Sequence, residues 1–131
     1  MNKIPTYEDV CDELAKTFGD FYTTTWKVYL KENYSDNSNR LCYIDAGLFS
    51  DYLIKHIRTN ETQYFQVFFD KIEQFFQIDN PELYEFLTIG VLEGIQNSTS
   101  HTEFDYQTVY SKWLRPKTLD AWNKLIDFWG G

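Results

Sequence analysis

The chain has 131 residues and a mass of 15.7 kDa, a size that fills one hydrophobic core and leaves little for a second. Its 12 basic and 20 acidic residues give a net charge of −8, which disfavours nucleic acid and anionic membranes as partners and favours a basic protein. Aromatic residues make up 19% of the chain, which excludes an acidic disordered tail. We therefore predict one domain over residues 1–131 and expect a monomer.

The first predicted helix lies over residues 6–17. Thr6 is placed to cap it, and Asp9, three residues later, is placed as the partner in a capping box. Apolar side chains then recur at steps of three and four residues, the spacing of a buried helix face. They are Tyr7, Cys11, Leu14 and Phe18. Gly19 ends this helix.

Two further helices are predicted in the first half. Asp20 is placed to cap the second. Residues 23–25 are three threonines that weaken it, since β-branched side chains lose freedom in a helix, whereas residues 26–34 keep helical spacing. After a polar turn, Asp45 is placed to cap a third helix over 45–58.

The most apolar stretch begins at Asn60 and predicts the central helix of the fold. Its apolar side chains are Tyr64, Phe65, Phe68, Phe69, Ile72, Phe75 and Phe76. Within residues 79–82, a residue that can cap a helix comes directly before a proline, which predicts a helix that starts with this proline at its first position. In the helix that follows, Gly90 and Gly94 lie on one side, which predicts close passage of another backbone because glycine is unfavourable within helices.

The last part of the chain predicts two more helices. Asp105 is placed to cap a short helix that ends at Trp113 or Leu114, and Pro116 opens the final helix. No alternating pattern exceeds residues 41–44, which is too short for a sheet. We predict an all-α fold of about seven helices, arranged as an irregular bundle or as a short stack of antiparallel helical hairpins.

The sequence favours a cytoplasmic protein. Residues 1–5 are not followed by the apolar stretch of a secretory signal. No apolar run approaches the roughly 18 residues of a membrane span, so we expect no membrane partner. Cys11 and Cys42 form no CxxC pair, and we expect reduced, buried thiols.

Residue types that carry chemistry are few. His56 and His101 are not part of an HExxH zinc pair, and no glycine-rich phosphate loop is present. We predict no catalytic residues, no metal and no cofactor, so the protein is not expected to be an enzyme. A small hydrolase that uses Cys42 or Glu93 remains the catalytic alternative. For Glu93 a structural ion pair is the simpler explanation, with Arg58, Lys112 or backbone donors as the expected partner.

Acidic residues concentrate near the start of the chain, where two pairs of like charge lie four residues apart on the first helix. One interpretation is a solvated helix face. The other is a surface that binds a basic partner, because opposite charge accelerates association and fixes the register of an interface. The predicted partner-binding residues are Glu8, Asp9, Asp12, Glu13, Asp20 and Tyr22.

Four segments resemble a group of small acidic all-helical bacterial proteins. The segments are Leu48–Leu53, Gly90–Glu93, Leu114–Pro116, and Trp122 with Phe128–Gly130. These proteins are immunity proteins of contact-dependent inhibition and other polymorphic toxin systems. The resemblance implies a bacterial cytoplasmic protein that binds and neutralises a cognate toxin domain.

With the acidic charge, this resemblance favours occlusion of a basic toxin active site, most readily that of a nuclease, which must hold phosphates. The alternative function is an intracellular helical adaptor or scaffold that binds another protein without catalysis.

Overall fold

The computed structural model describes residues 3–36 and 38–129, and within them the regular secondary structure is entirely helical. Six helices make up the fold. They are α1 (Tyr7–Lys16), α2 (Tyr22–Trp26 continued by Lys27–Asn33), α3 (Gly47–Arg58), α4 (Phe65–Phe76), α5 (Pro81–Glu85, Phe86–Leu92 and Glu93–Ser100, continuous) and α6 (Pro116–Phe128). A single α-helical turn, Cys42–Asp45, precedes α3, and a 3-10 turn, Ser111–Trp113, precedes α6. The all-α prediction is confirmed, with six helices rather than about seven.

Two helix starts follow the local signals in the sequence. The Thr6 hydroxyl accepts a hydrogen bond from the Asp9 amide at 3.0 Å, and the Asp9 carboxylate accepts one from the Thr6 amide at 3.3 Å. Asn80 Oδ1 accepts from the Leu83 amide at 2.9 Å, with Pro81 in the first turn. Each pattern satisfies backbone donors that a helix start leaves free.

The start of α6 is capped by a different helix. Both oxygens of the Glu73 carboxylate, from α4, accept backbone hydrogen bonds there: one from Thr118 at 2.9 Å and the other from Lys117 at 3.3 Å. Beside it, Arg115 donates to Asp70 at 2.9 Å. This places negative charge at the positive end of the helix dipole and fixes α6 against α4.

Asp45 is not the cap of α3, so that prediction was wrong. Its side chain is fully buried, and one carboxylate oxygen accepts from the hydroxyls of Tyr29 and Tyr34, each at 2.7 Å. The long connection between α2 and α3 is thereby tied to the core, and α3 begins at Gly47 without a side-chain cap.

The helix predicted from Asp105 does not form. Its carboxylate accepts from the Gln107 amide and the Thr108 hydroxyl, each at 3.0 Å. These bonds favour a compact turn over helix continuation, and the chain reaches α6 through turns and the 3-10 segment. This difference accounts for the smaller number of helices.

Two stretches are wound as π-helix, with hydrogen bonds that span five residues. In α2 the Lys27 amide donates to the Tyr22 carbonyl, and in α5 the Glu93 amide donates to the Thr88 carbonyl. The threonine run of α2 lies in the first of these stretches, where the hydroxyl of Thr24 bonds the Asp20 carbonyl at 2.9 Å. Threonine back-bonding of this kind disturbs regular α-helix.

The core is built from stacked aromatic rings. Phe18 lies between Phe68, at a ring-centroid distance of 4.6 Å, and Tyr52, at 3.9 Å. His56 continues the stack on the other face of Tyr52 at 3.8 Å. The stack thus runs from the buried face of α4 to a half-buried imidazole on α3. Among the described helices none is both long and apolar enough to cross a bilayer.

Candidate functional site

Asp12, one of the predicted partner-binding residues, is engaged within the molecule. Arg40 forms a two-pronged pair with its carboxylate, at 2.9 and 3.2 Å, and the buried Trp26 indole donates to it at 2.9 Å. The Arg40 side chain is only 16% exposed. Asp12 therefore ties α1 to α2 and to the segment before the Cys42–Asp45 turn.

The other acidic residues of α1 differ in availability. Asp9 closes the capping box, and Glu13 pairs with Lys16 at 3.3 Å on the exposed surface. Glu8 is half-buried and lines a shallow cavity of about 420 Å³ with Tyr7 and Glu82. The four acids of α1 therefore do not form one uniform free surface, and their contact with a partner stays a prediction.

Asp20 and Tyr22 lie beyond the end of α1. Tyr22 is half-buried with the ammonium groups of Lys16 and Lys27 over its ring, each 5.5 Å from the centroid. This places positive charge where the acidic surface was predicted to continue. Asp20 is exposed and lines a separate cleft beside α3.

A groove over the middle of α5 combines apolar and polar walls. Its volume is about 470 Å³. We call it the α5 groove, and its principal residues are Tyr43, Ile89, Gly90, Glu93, Gly94 and Trp129. Three of its apolar side chains are well exposed: Tyr43 at 44%, Ile89 at 41% and Trp129 at 62%. Exposed aromatic and aliphatic side chains around a concave surface are typical of protein-binding sites.

Sequence reasoning missed these walls. The 41–44 segment was considered for strand character and for Cys42 as a possible nucleophile, and Trp129 for its part in the resemblance, but neither Tyr43 nor Trp129 was predicted as a binding residue. The glycine pair of α5 was the available signal, but its explanation was wrong: a Cβ on Gly90 meets side chains of Phe86 and Tyr43, and a Cβ on Gly94 meets nothing within 4 Å. Gly94 instead leaves the groove floor open.

The two glycines predict opposite effects of the same substitution. In Gly90→Ala the new Cβ lies 2.8 Å from the buried Phe86 ring and 3.2 Å from Tyr43. We expect a loss of about 1 to 2 kcal/mol in the free energy of unfolding, since overpacking outweighs the better helix propensity of alanine. Gly94→Ala is expected to gain about 0.5 to 1 kcal/mol. Urea denaturation of both variants measures the difference, and equal effects would contradict it.

Glu93 lies at the edge of the α5 groove with a partner other than those predicted. Its carboxylate accepts a hydrogen bond from the Trp129 indole at 3.3 Å. Arg58 instead pairs with Glu103 at 2.8 Å, and Lys112 lies 4.6 Å above the Trp113 ring. Glu93 is half-buried, so it presents an acidic group beside exposed apolar surface.

The other end of the groove is aromatic and acidic. The rings of Tyr43 and Tyr7 meet edge to face, and Tyr7 stacks on Phe86 at 4.4 Å. Burial raises the pKa of Tyr43, and Tyr7 and Glu85 raise it further. Burial also raises the pKa of Tyr7, with Glu82 and Glu85 adding to the effect. These tyrosines therefore stay neutral beside carboxylates at physiological pH.

Both cysteines lie in the core near this face. Cys11 and Cys42 are buried and free. Cys42 and burial together raise the pKa of the Cys11 thiol. The prediction that both thiols are buried is confirmed, and their reduced state stays a prediction.

No curated protein and no solved structure matches the chain. A family model matches residues 11–130, which include α2 to α6 and all but the first turn of α1. The matched region contains the α5 groove and the half-buried pair of Asp12 with Arg40. The chain therefore belongs to the family described as domain of unknown function DUF7674.

Proposed function

We propose that this protein is a non-catalytic binding module that holds a basic protein through the α5 groove. The observation that carries the proposal is the groove itself, with Tyr43, Ile89 and Trp129 exposed along its walls and Glu93 at its edge. Large exposed apolar groups supply the binding energy of interfaces, and surrounding charges supply register.

The charge of the chain supports a basic partner. Its net charge of −8 creates a field that attracts a cationic protein before contact. At the groove, Glu93 and the nearby Glu85 add local negative charge beside the tyrosines. Glu8, at the start of α1, adds a further negative charge to this surface.

More specifically, we propose that the protein is an immunity protein. The resemblance to immunity proteins of polymorphic toxin systems favours a cytoplasmic role in which the protein blocks the basic active site of a toxin domain. An active site that binds phosphates is cationic, and an acidic surface with exposed rings complements it in charge and provides apolar contacts. Occlusion of this kind needs no catalytic residue on the inhibitor.

The experiment tests proteins encoded by the genes next to that of this protein, and the proposal expects one of them to carry a toxin domain with a basic active site. We expect a stable complex by calorimetry and rescue of growth on co-expression. Ile89→Lys is expected to weaken binding at least tenfold, since a charge then replaces an apolar wall of the groove. Raising the salt concentration is expected to slow association, as for other interfaces with charged rims.

A matched control is available on α4. Val67 is 53% exposed and lies outside the α5 groove, so Val67→Lys is expected to leave affinity within about twofold, because surface residues outside an interface contribute little. If Ile89→Lys binds as tightly as Val67→Lys, the groove is not the interface. If the native protein neither binds the toxin domain nor protects the cell, the immunity proposal is wrong.

A further inference from the structure

The two cysteines of the chain lie in one part of the core, on segments that pack against each other. Cys11 lies on α1 and is fully buried, and Cys42 opens the Cys42–Asp45 turn and is 5% exposed. This turn is in direct contact with α1. The Cys11 thiol lies within hydrogen-bonding reach of the Cys42 sulfur. The fold therefore brings together two thiols that are distant in the chain.

An ion pair holds the same two segments together. Asp12 follows Cys11 in α1, and Arg40 lies two residues before Cys42. The two-pronged pair of Arg40 with Asp12, at 2.9 and 3.2 Å, fixes the position of the turn along α1. This contact does not involve the sulfur atoms, so the thiols are held near each other whether or not they interact.

The two thiols differ in reactivity. A hydrogen bond from the Cys11 thiol lowers the pKa of Cys42, and the positive charge of Arg40 lowers it further, in opposition to burial. Cys11 shows the reverse, since Cys42 and burial raise its pKa. The thiolate is the nucleophilic form of cysteine, so Cys42 is the sulfur that reacts first with an oxidant.

Cys42 also lies directly below the surface. Its neighbours Leu41 and Tyr43 are 59% and 44% exposed, and the four-residue turn starts without a side-chain cap. A short segment of this kind opens locally at a small cost in free energy, which admits an oxidant as small as hydrogen peroxide. Cys11 lies within α1 and is protected from direct attack.

We propose that Cys11 and Cys42 form a reversible disulfide in response to hydrogen peroxide. The Cys42 thiolate attacks one peroxide oxygen, the O–O bond breaks, and Cys42 becomes a sulfenic acid while the departing hydroxide takes up the proton that Cys42 released. The Cys11 sulfur then attacks the Cys42 sulfur and the S–O bond breaks, so that hydroxide leaves as water with the Cys11 proton. The two thiols together lose two electrons and two protons, and one peroxide becomes two waters.

The disulfide acts on the α5 groove through Tyr43, the residue after Cys42. Bond formation draws the turn towards α1, and the Tyr43 ring, which meets Phe86 at a centroid distance of 5.1 Å, moves with it. Tyr43 is a wall of the groove, so affinity for a partner is expected to differ between the thiol and disulfide forms. This regulatory role rests on the proposed function, whereas formation of the disulfide does not.

The experiment treats the native protein with hydrogen peroxide without denaturant and measures its intact mass and its proteolytic peptides. We expect the loss of two hydrogen atoms, a peptide pair linked through Cys11 and Cys42, and full reversal by dithiothreitol. In Cys11→Ala the reaction is expected to stop at the Cys42 sulfenic acid, which dimedone traps. Cys42→Ala is expected to give neither product. Alanine suits both sites because a buried cysteine packs as a small apolar group, and the linked peptide of the native protein is decisive even if a variant does not fold.

The effect on the groove is measured by NMR of the ¹⁵N-labelled protein before and after oxidation. We expect shifts at Tyr43 and Gly90, and none at Arg58, at the opposite end of α3 from the turn. Oxygen addition without a linked peptide, or a disulfide between two copies of the chain, would overturn the thiol pair. A disulfide that leaves Tyr43 unshifted would overturn its action on the groove. These measurements involve no partner, so their failure is distinct from failure of toxin binding.

Discussion

Replacing Phe18 with alanine is expected to lower the free energy of unfolding by about 3 to 5 kcal/mol, the usual loss for a buried Phe→Ala change. Phe18 is 1% exposed and lies between the rings of Phe68 and Tyr52. It also meets Phe21 edge to face at 5.6 Å. The substitution removes apolar contact and leaves a cavity between α3, α4 and the turn after α1, where rigid rings cannot collapse inward.

Urea denaturation followed by circular dichroism measures this loss. Phe128→Ala is the matched control, because Phe128 is 77% exposed and its truncation is expected to change stability by less than about 0.5 kcal/mol. If Phe18→Ala does not fold, Phe18→Leu retains most of the apolar volume and is expected to lose about 1 to 2 kcal/mol. A loss below about 1 kcal/mol for Phe18→Ala would contradict a continuous aromatic stack.

Asp12→Ala is the second large expected effect, a loss of about 2 to 3 kcal/mol. The change leaves the mostly buried Arg40 guanidinium and the buried Trp26 indole without their common acceptor. Hydrogen bonds to charged groups contribute about 1.5 to 3 kcal/mol, and removal of one partner of a buried pair costs more. The 31% exposure of the Asp12 side chain keeps the expected loss below that of a fully buried pair.

Glu13→Ala is the control one residue away on the same helix. Glu13 pairs with Lys16, and both side chains are more than 40% exposed. Exposed pairs contribute about 0 to 1 kcal/mol, so we expect little change in urea denaturation. Equal losses for Asp12→Ala and Glu13→Ala would show that the Arg40 pair does not stabilise the fold.

The sequence predicted local features well where a short motif determines them. The capping box of Thr6 and Asp9 and the start at Asn80 with Pro81 depend on neighbours within three residues. Asp45 carried a similar signal, but burial beside Tyr29 and Tyr34 gives its carboxylate a tertiary role. An aspartate that caps a helix and an aspartate that is a buried hydrogen-bond acceptor look identical in a sequence. Only the packing of the folded chain distinguishes the two roles.

The residues of the candidate sites could be predicted less well than the helix starts, because the sites depend on contacts between distant parts of the chain. Asp12 and Glu13 are adjacent acids on one helix, but Arg40, from a segment 28 residues away, occupies only the first. The α5 groove brings Tyr43 and Trp129 together from distant parts of the chain. The spacing of charges along one helix carries no information on such partners, so the acidic residues were predicted as one surface.

The π-helical stretch of α5 accommodates about one more residue per turn than the α-helix on either side of it. The extra residue is absorbed locally, so the helical segments before and after the stretch keep the phase that one regular α-helix would give them. We therefore expect that deletion of one residue between Phe86 and Leu92 restores regular winding and leaves Glu93 and Gly94 on the groove side of α5. Members of the family without the extra residue are expected to present the same downstream face.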